Sequence, residues 1–233
     1  MRQLSVAISA ALALASICQA STITFDNPPA GLAPNSSFIA GTPVDSDAQL
    51  TNQFENLGVI FATIGGAPNA ALVDLGTGHA VSGTNGIGAV NLVNSMEVLD
   101  YALDIDIQLV VPGTLTPAVT DSISIQGDEI PSFGQVFFSA YDSLGNLVAS
   151  GQATDTGGTV FGLSAPGIHE FRLHSMNGDV AYDNLVFDTP TAPSSLSGVP
   201  EPSGLGLFGL LLLAALVWKH RGRLARSAMY YYR

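Results

Sequence analysis

The chain has 233 residues and a formal net charge of −12, with 25 glycines, 13 prolines and one cysteine. All 19 acidic residues fall between Asp26 and Glu201, where Arg172 is the only basic residue, so that stretch carries about −18 (19 acidic against 1 basic). A surface this acidic repels phosphate backbones and anionic headgroups, which excludes nucleic acid as a partner.

Residues 1–20 have the anatomy of a signal peptide. Arg2 supplies the positive start, Leu4 to Ile17 an apolar run, and Cys18-Gln19-Ala20 small residues at −3 and −1 of a cleavage point after Ala20. Signal peptidase is therefore an expected partner. Ile17, bulky where a small residue is needed, argues against lipid attachment at Cys18. Cleavage leaves a cysteine-free mature chain, which removes thiol catalysis, redox switching and Cys-ligated zinc together.

Residues 21–188 read as one acidic, all-β domain, large enough to bury about 70% of its unfolded surface without disulfides. In chain order the expected strands are 21–25, 59–63, 98–111, 122–126, 135–141, 147–152, 159–163, 169–174 and 180–187. The run from Val98 to Val111 has the clearest pattern. Leu99, Tyr101, Leu103, Ile105, Ile107 and Leu109 alternate with Asp100, Ala102, Asp104, Asp106 and Gln108, one face for the core and one for water. The seven glycines within 65–88 predict long loops at one end. Leu144-Gly145-Asn146-Leu147 predicts a two-residue hairpin turn. Many short strands with abundant glycine and proline argue for an antiparallel β-sandwich. Ile23-Thr24-Phe25-Asp26, Gly58-Val59-Ile60-Phe61 and Val180 to Phe187 resemble a jelly-roll of the carbohydrate-binding-module or galactose-binding-like type. That resemblance implies neighbouring first and last strands, with acidic residues there around a structural calcium.

Residues 189–198 form a Pro/Ser linker. A sorting segment, 199–226, follows: the motif Val199-Pro200-Glu201-Pro202, an apolar run over 203–218, and a basic tail over 219–226. Sixteen helical residues span about 24 Å, short of the roughly 30 Å hydrocarbon core. Trp218 at the interface and snorkelling Lys219, Arg221, Arg223 and Arg226 make a single transmembrane helix workable, with the tail cytoplasmic. Motif, helix and basic end together resemble the PEP-CTERM sorting signal. That resemblance implies recognition by a membrane-embedded exosortase, removal of the helix, and export in Gram-negative bacteria that make exopolysaccharide. The extension 227–233 is longer and more aromatic than the pattern.

Two Asp-Asn pairs are the metal candidates. Asp26, Asn27, Asp183 and Asn184 offer the carboxylate and amide oxygens that calcium takes in sets of six to eight. Asp183 shares strand parity with Leu185 and Phe187 and so points inward, where an unpaired carboxylate is costly. The alternative is that Asp26-Asn27-Pro28 starts a turn and Asp183 accepts backbone N–H bonds. Asp104 and Asp106 share one strand face, as a glycosidase pair does, but no Trp adjoins them and a solvated acidic stripe is expected. His79, His169 and His174 show no recognisable partnership with a nucleophile. The glycine-rich run Gly83 to Gly88 lacks the Lys of a phosphate loop. No catalytic residue is assigned, and the chain is read as non-enzymatic.

The leading expectation is an exported, exosortase-sorted protein of the cell surface or extracellular matrix, associated with exopolysaccharide or biofilm. Its precursor is membrane-anchored with the acidic domain outside. A carbohydrate-binding module with structural calcium and a secreted hydrolase are the alternatives, the first weakened by the shortage of aromatic platforms.

Overall fold

The computed structural model describes residues 20–64, 67–129, 133–176 and 180–193. Of the signal peptide expected over 1–20 only Ala20 is described, and everything from Ser194 onward, the motif at 199–202 and the run at 203–218 included, lies outside the described residues. Among the described residues no helix is long and apolar enough to cross a membrane.

In chain order the strands are β1 (Ala20–Ile23), β2 (Gln49–Leu50), β3 (Val59–Phe61), β4 (Thr63–Ile64), β5 (Ala67–Pro68), β6 (Ala70–Asp74), β7 (Asn85–Val93) and β8 (Met96–Leu99). After them come β9 (Asp104–Leu109), β10 (Thr120–Gly127), β11 (Gln135–Tyr141), β12 (Leu147–Thr154), β13 (Val160–Ile168), β14 (Glu170–Met176) and β15 (Tyr182–Asp188). One sheet runs β13-β10-β15-β7-β6-β2, with β1 added to β15 and β8 to β7; the other runs β12-β11-β14-β9-β3. The small pair β4-β5 stands apart. These pairings are antiparallel throughout.

The two sheets share one core. Val136, Phe138 and Ala140 of β11 and Phe171 and Leu173 of β14 are buried, as are Ile123 and Ile125 of β10 and Phe161 of β13. Phe138 spans the gap, its ring centroid 5.9 Å from that of Phe161 on the opposite sheet and 6.5 Å from Phe171 on its own. Each such side chain contributes roughly 1.5–3 kcal/mol by leaving water. The expected all-β, antiparallel two-sheet sandwich is what forms, and the first and last strands do pair, Ile23 opposite Leu185.

Four local expectations are corrected. The single strand over 98–111 is two strands in two sheets: β8 pairs with β7 and β9 with β14 and β3. Asp100 makes the break, its Oδ1 accepting from Ala102 N and its backbone carbonyl from Leu103 N. Leu99 and Tyr101 pack into a smaller cluster, while Ile105, Ile107 and Leu109 enter the main core. The glycine-rich region is not loop alone: 75–84 is a loop, but β5, β6 and the start of β7 also run through it, with Ala70, Ala71, Leu72 and Val73 all at 0% exposure. Strands buried on both faces lose the alternation that identifies them. The β11–β12 turn is wider than two residues. Asp142 Oδ1 accepts from Leu144 N and Asn146 N, and Gly145 takes φ +80°. The domain also runs past 188, because Thr191 exchanges backbone hydrogen bonds with Val119.

Gly86 in β7 is required by close approach. A Cβ there would meet the Tyr182 carbonyl oxygen at 2.7 Å and Leu75 Cδ1 at 2.7 Å, and the backbone oxygen cannot yield. Gly86→Ala in a chain of residues 20–193 is expected to lose about 1–3 kcal/mol of stability. Urea midpoints unchanged from the parent would contradict this packing.

Candidate functional site

The first and last strands meet beside a β-bulge. Between β10 and β15 the register slips so that Asn184 and Leu185 together oppose Ile125, flanked by the pairs Gln126–Asp183 and Ser124–Val186. Asn184 takes φ +49°, the left-handed conformation that Asn tolerates better than most residues. The extra residue resets the strand's parity. Tyr182, not Asp183, joins Leu185 and Phe187 in the core. Asp183 lies opposite Gln126, away from that core, yet is fully buried. The covering is supplied by the loop before β7 and by the segment after β1. Phe25, also left-handed at φ +62°, lies two residues past the end of β1, just before Asp26, which reaches the same place.

Ser82 is the hub. Its Oγ lies 2.9 Å from Asp26 Oδ2, 2.9 Å from Asp183 Oδ2, 3.1 Å from Asn184 Oδ1 and 3.5 Å from the Thr24 carbonyl. The Ser82 N–H donates to Asp183 Oδ2 at 2.7 Å, and Asn184 N to Asp183 Oδ1 at 2.7 Å. Asp26 Oδ1 accepts from Thr84 N and Asn85 N. Asn184 Nδ2 donates to Gln126 Oε1 at 2.8 Å. Gly83 is fitted to this arrangement: it has φ +51°, and a Cβ on it would fall 2.0 Å from Asp26 Oδ1. Of the residues singled out from sequence, Asp26, Asp183 and Asn184 are brought together. Asn27 is exposed, and no hydrogen bond joins it to the group. Ser82, Thr84, Asn85 and Gln126 were missed. The signal that points to two of them, Thr84 and Asn85, is the glycine-rich run 83–88, whose backbone amides at those positions donate to the chain's own Asp26.

The donors do not match the acceptors. One hydroxyl holds one proton, yet four oxygens surround Ser82 Oγ, and among the described residues Asp26 Oδ2 and Asn184 Oδ1 have that one proton to share. Burial pushes the Asp183 carboxyl above the ordinary range; hydrogen bonds from Ser82 and Asn184 oppose the rise, and the nearby Asp26 charge adds to it. Two carboxylates, an amide oxygen, a hydroxyl and a backbone carbonyl form a hard, all-oxygen donor set of the kind calcium takes. Backbone N–H bonds to Asp183, the alternative expected from sequence, are also present.

The outer face of the β12-β11-β14-β9-β3 sheet holds the other candidates. Cross-strand register aligns Gln152, Phe137, His174 and Asp104 in one row and Tyr141, Glu170 and Gln108 in another. His174 Nδ1 lies 2.7 Å from Asp104 Oδ1. Arg172 bonds Asp106 through Nε at 2.6 Å and Glu170 through Nη2 at 2.8 Å, and its guanidinium sits 5.1 Å from the Tyr141 ring centroid. Asp106 is thus no part of a solvated acidic stripe. It is 9% exposed, and burial raises its pKa although Arg172 opposes the shift. His169 Nδ1 contacts the Ala118 carbonyl at 2.9 Å, apart from His174. His79 lies beside Phe38, ring centroids 5.9 Å apart.

No protein-family model and no curated protein matches this chain. Among solved structures, a DUF4465 family protein from Bacteroides caccae is 15% identical over 74% of this chain and 97% of that one, at a TM-score of 0.36. A family-61 carbohydrate-binding module in complex with β-1,4-galactotriose is 11% identical over 64% of this chain and 95% of its own, at 0.28. The K1 cleaved adhesin domain of Lys-gingipain from Porphyromonas gingivalis is 13% identical over 76% and 99%, also at 0.28. Likeness at this level assigns no function.

The raised Asp183 carboxyl has a pH consequence of definite sign. Between the ordinary Asp value and the raised one, the folded chain holds a proton that the unfolded chain has released. The contribution of Asp183 to stability therefore falls as pH rises through that window. In chelator-treated buffer, the stability of Asp183→Asn relative to the parent is expected to climb from pH 4 upward and then level off. Urea unfolding across pH 3.5–7.5 measures it, and a difference that stays flat contradicts the burial cost.

Proposed function

We propose that this chain is an exported, exosortase-sorted, non-enzymatic protein of the cell surface or extracellular matrix, associated with exopolysaccharide. In this reading its sandwich is closed by a structural calcium at Asp26, Asp183 and Asn184. The observation that carries the calcium part is the surplus of acceptors around Ser82 Oγ at the seam of the first and last strands. Calcium there would neutralise two close carboxylates and relieve the cost of burying Asp183. An extracellular domain needs only a weak site, since modules outside the cell bind this ion at about 10⁻⁴–10⁻³ M. The sorting part rests on Val199-Pro200-Glu201-Pro202 ahead of the apolar run and basic tail. Against an enzyme stands the pairing of Asp104 with His174 and of Asp106 with Arg172, which commits both carboxylates to partners on the neighbouring strand.

Calcium is expected to raise the melting temperature of residues 20–193, by the equivalent of about 2.7 kcal/mol at 100 times Kd. Asp26→Asn and Asp183→Asn should each abolish the increment, because each removes one carboxylate from one site. Magnesium at equal ionic strength is the control for diffuse screening of an acidic surface. A shift that magnesium reproduces, or that survives Asp183→Asn, leaves the cluster as a hydrogen-bonded seam.

Glu201→Ala is expected to leave an uncleaved, membrane-retained precursor in an exosortase-positive host. Immunoblots of membrane and medium fractions report the outcome, and processing like that of the parent would sink the exosortase assignment.

A further inference from the structure

Several strand edges of the sandwich are covered by the chain itself. On β8 the outer side is taken by residues 41–44: Gly41 N donates to the Leu99 carbonyl at 2.7 Å, Leu99 N to Thr42 at 2.9 Å and Val44 N to Glu97 at 2.9 Å. The outward N–H groups of Val59 and Phe61 on β3 donate to the carbonyls of Phe54 and Thr51. β13 ends its sheet but is interrupted by Pro166 and by Gly167 at φ +77°. β12 has no such protection. It ends the five-stranded sheet, and among the described residues it pairs with β11 alone, in regular register from Ala149 to Thr154. Just past it, Asp155 N donates to the Gly134 carbonyl at 2.9 Å. Antiparallel alternation counted back from Asp155 aims the backbone N–H and C=O groups of Thr154, Gln152 and Ser150 away from β11. Long edges are ordinarily guarded by charge, proline or a covering segment. Leu147 to Thr154 holds neither charge nor proline, β11 is uncharged as well, and between Ser143 and Ile168 the one charged residue, Asp155, is fully buried.

We infer that β12 pairs antiparallel with β12 of a second copy of this chain, about a two-fold axis at Gln152, joining the two five-stranded sheets edge to edge. Charge selects the occupant. Copies of so acidic a domain repel wherever their carboxylates face each other. At this edge the four strands nearest the axis, β12 and β11 of each copy, carry no charge, and the first acidic side chain of the sheet is Glu170 on β14. Geometry fits the same occupant, because a two-fold interface must complement itself. An axis at Gln152 sets that residue against its own copy and Ser150 against Thr154, so all three outward residues are used, with about two backbone hydrogen bonds from each pair. Hydroxyl and amide side chains then face one another across the strands, and no like charges do. The side chains of Ser150, Gln152 and Thr154 are exposed, so none has to leave the core. Main-chain bonds supply the affinity, as when an extended peptide adds to a sheet edge. This inference stands on the fold and the charge distribution, and it needs neither calcium nor sorting.

Analytical ultracentrifugation of residues 20–193 in chelator-treated buffer, from about 10 µM to about 1 mM, tests it, and a monomer–dimer equilibrium is expected. Raising NaCl from about 50 to about 500 mM is expected to tighten the dimer, since salt screens the repulsion between acidic copies. An interface built on the Arg172 ion pairs would loosen instead. Gln152→Glu sets like charges against each other at the axis and is expected to weaken the dimer at least 10-fold. A mixture of Gln152→Glu and Gln152→Lys is expected to associate more tightly than either variant alone. Leu92→Glu adds the same charge at a half-exposed position of the other sheet and should leave the dimer as in the parent. Circular dichroism shows whether each variant is folded, and the parent's concentration and salt series decides the matter if one is not. A monomer at every concentration, a dimer that salt weakens, or a dimer indifferent to Gln152→Glu would each overturn the inference. So would a dimer of residues 20–193 that vanishes in a chain of residues 20–202, because the chain's own tail would then be what covers the edge.

Discussion

The left-handed residue Asn184 organises the seam on which the sandwich closes. With regular pairing along β15, Asp183 would fall on the face of Leu185 and Phe187 and put a carboxylate into the main core. One extra residue moves Tyr182 inward instead, where its ring lies 6.0 Å from that of Phe161. The same extra residue sends Asp183 and Asn184 outward together. A bulge of this kind costs a ladder hydrogen bond and some backbone strain. Here the strain is offset locally: Asn184 N donates to Asp183, and Asn184 Nδ2 to Gln126.

What this bulge organises is the joining of distant chain segments. Ser82 reaches Asp183 across 101 residues and Asp26 across 56. The entropic cost of closing such loops grows only slowly with length, but it must be met, and residues 20–193 contain no cysteine with which to meet it. Pairing of β1 with β15, the packing of Phe25 on Phe54 at 5.6 Å, and the oxygen cluster share that task. Charge-assisted hydrogen bonds are among the stronger non-covalent fasteners at a surface, which is why carboxylates suit this seam.

Period-two patterning made most of the second sheet legible. β11, β14 and β9 alternate cleanly, so their core faces follow from sequence. The same rule misread 98–111, because alternation continues in register across the Asp100 break and parity says nothing about which sheet a residue serves. It also missed β6 and β7, which are buried on both faces and carry glycines where Tyr101 and the Tyr182 carbonyl come close. At the seam, the Asp-Asn repeats marked three of the clustered residues. The hub did not show, since a Ser in a glycine-rich loop acquires its role only when two strands far apart in sequence lie beside it. The inward placement of Asp183 was wrong for a related reason. A bulge shifts register by one residue and inverts every inference drawn from parity beyond it.

With a single Arg in the domain, ion pairing cannot explain how so acidic a chain stays compact, since like charges repel and oppose collapse. Backbone N–H groups take over that role at the turns. Asp74 accepts from Gly76, Asp100 from Ala102, Asp142 from Leu144 and Asn146, Asp155 from Gly157, and Asp121 from Gly167 across the strands. Each is a charge-assisted bond, and all but the one at Asp121 also fix a local change of chain direction. For Asp142 the bonds from the Asn146 side chain and from neighbouring amides hold the carboxyl below its usual range. Acidity in this protein is therefore partly a way of building turns. Asp26 and Asp183 follow the same rule through the backbone amides of Thr84, Asn85, Ser82 and Asn184, and they add to it by converging on one hydroxyl, that of Ser82, so that at the seam the acidic residues join distant strands as well as shaping a turn.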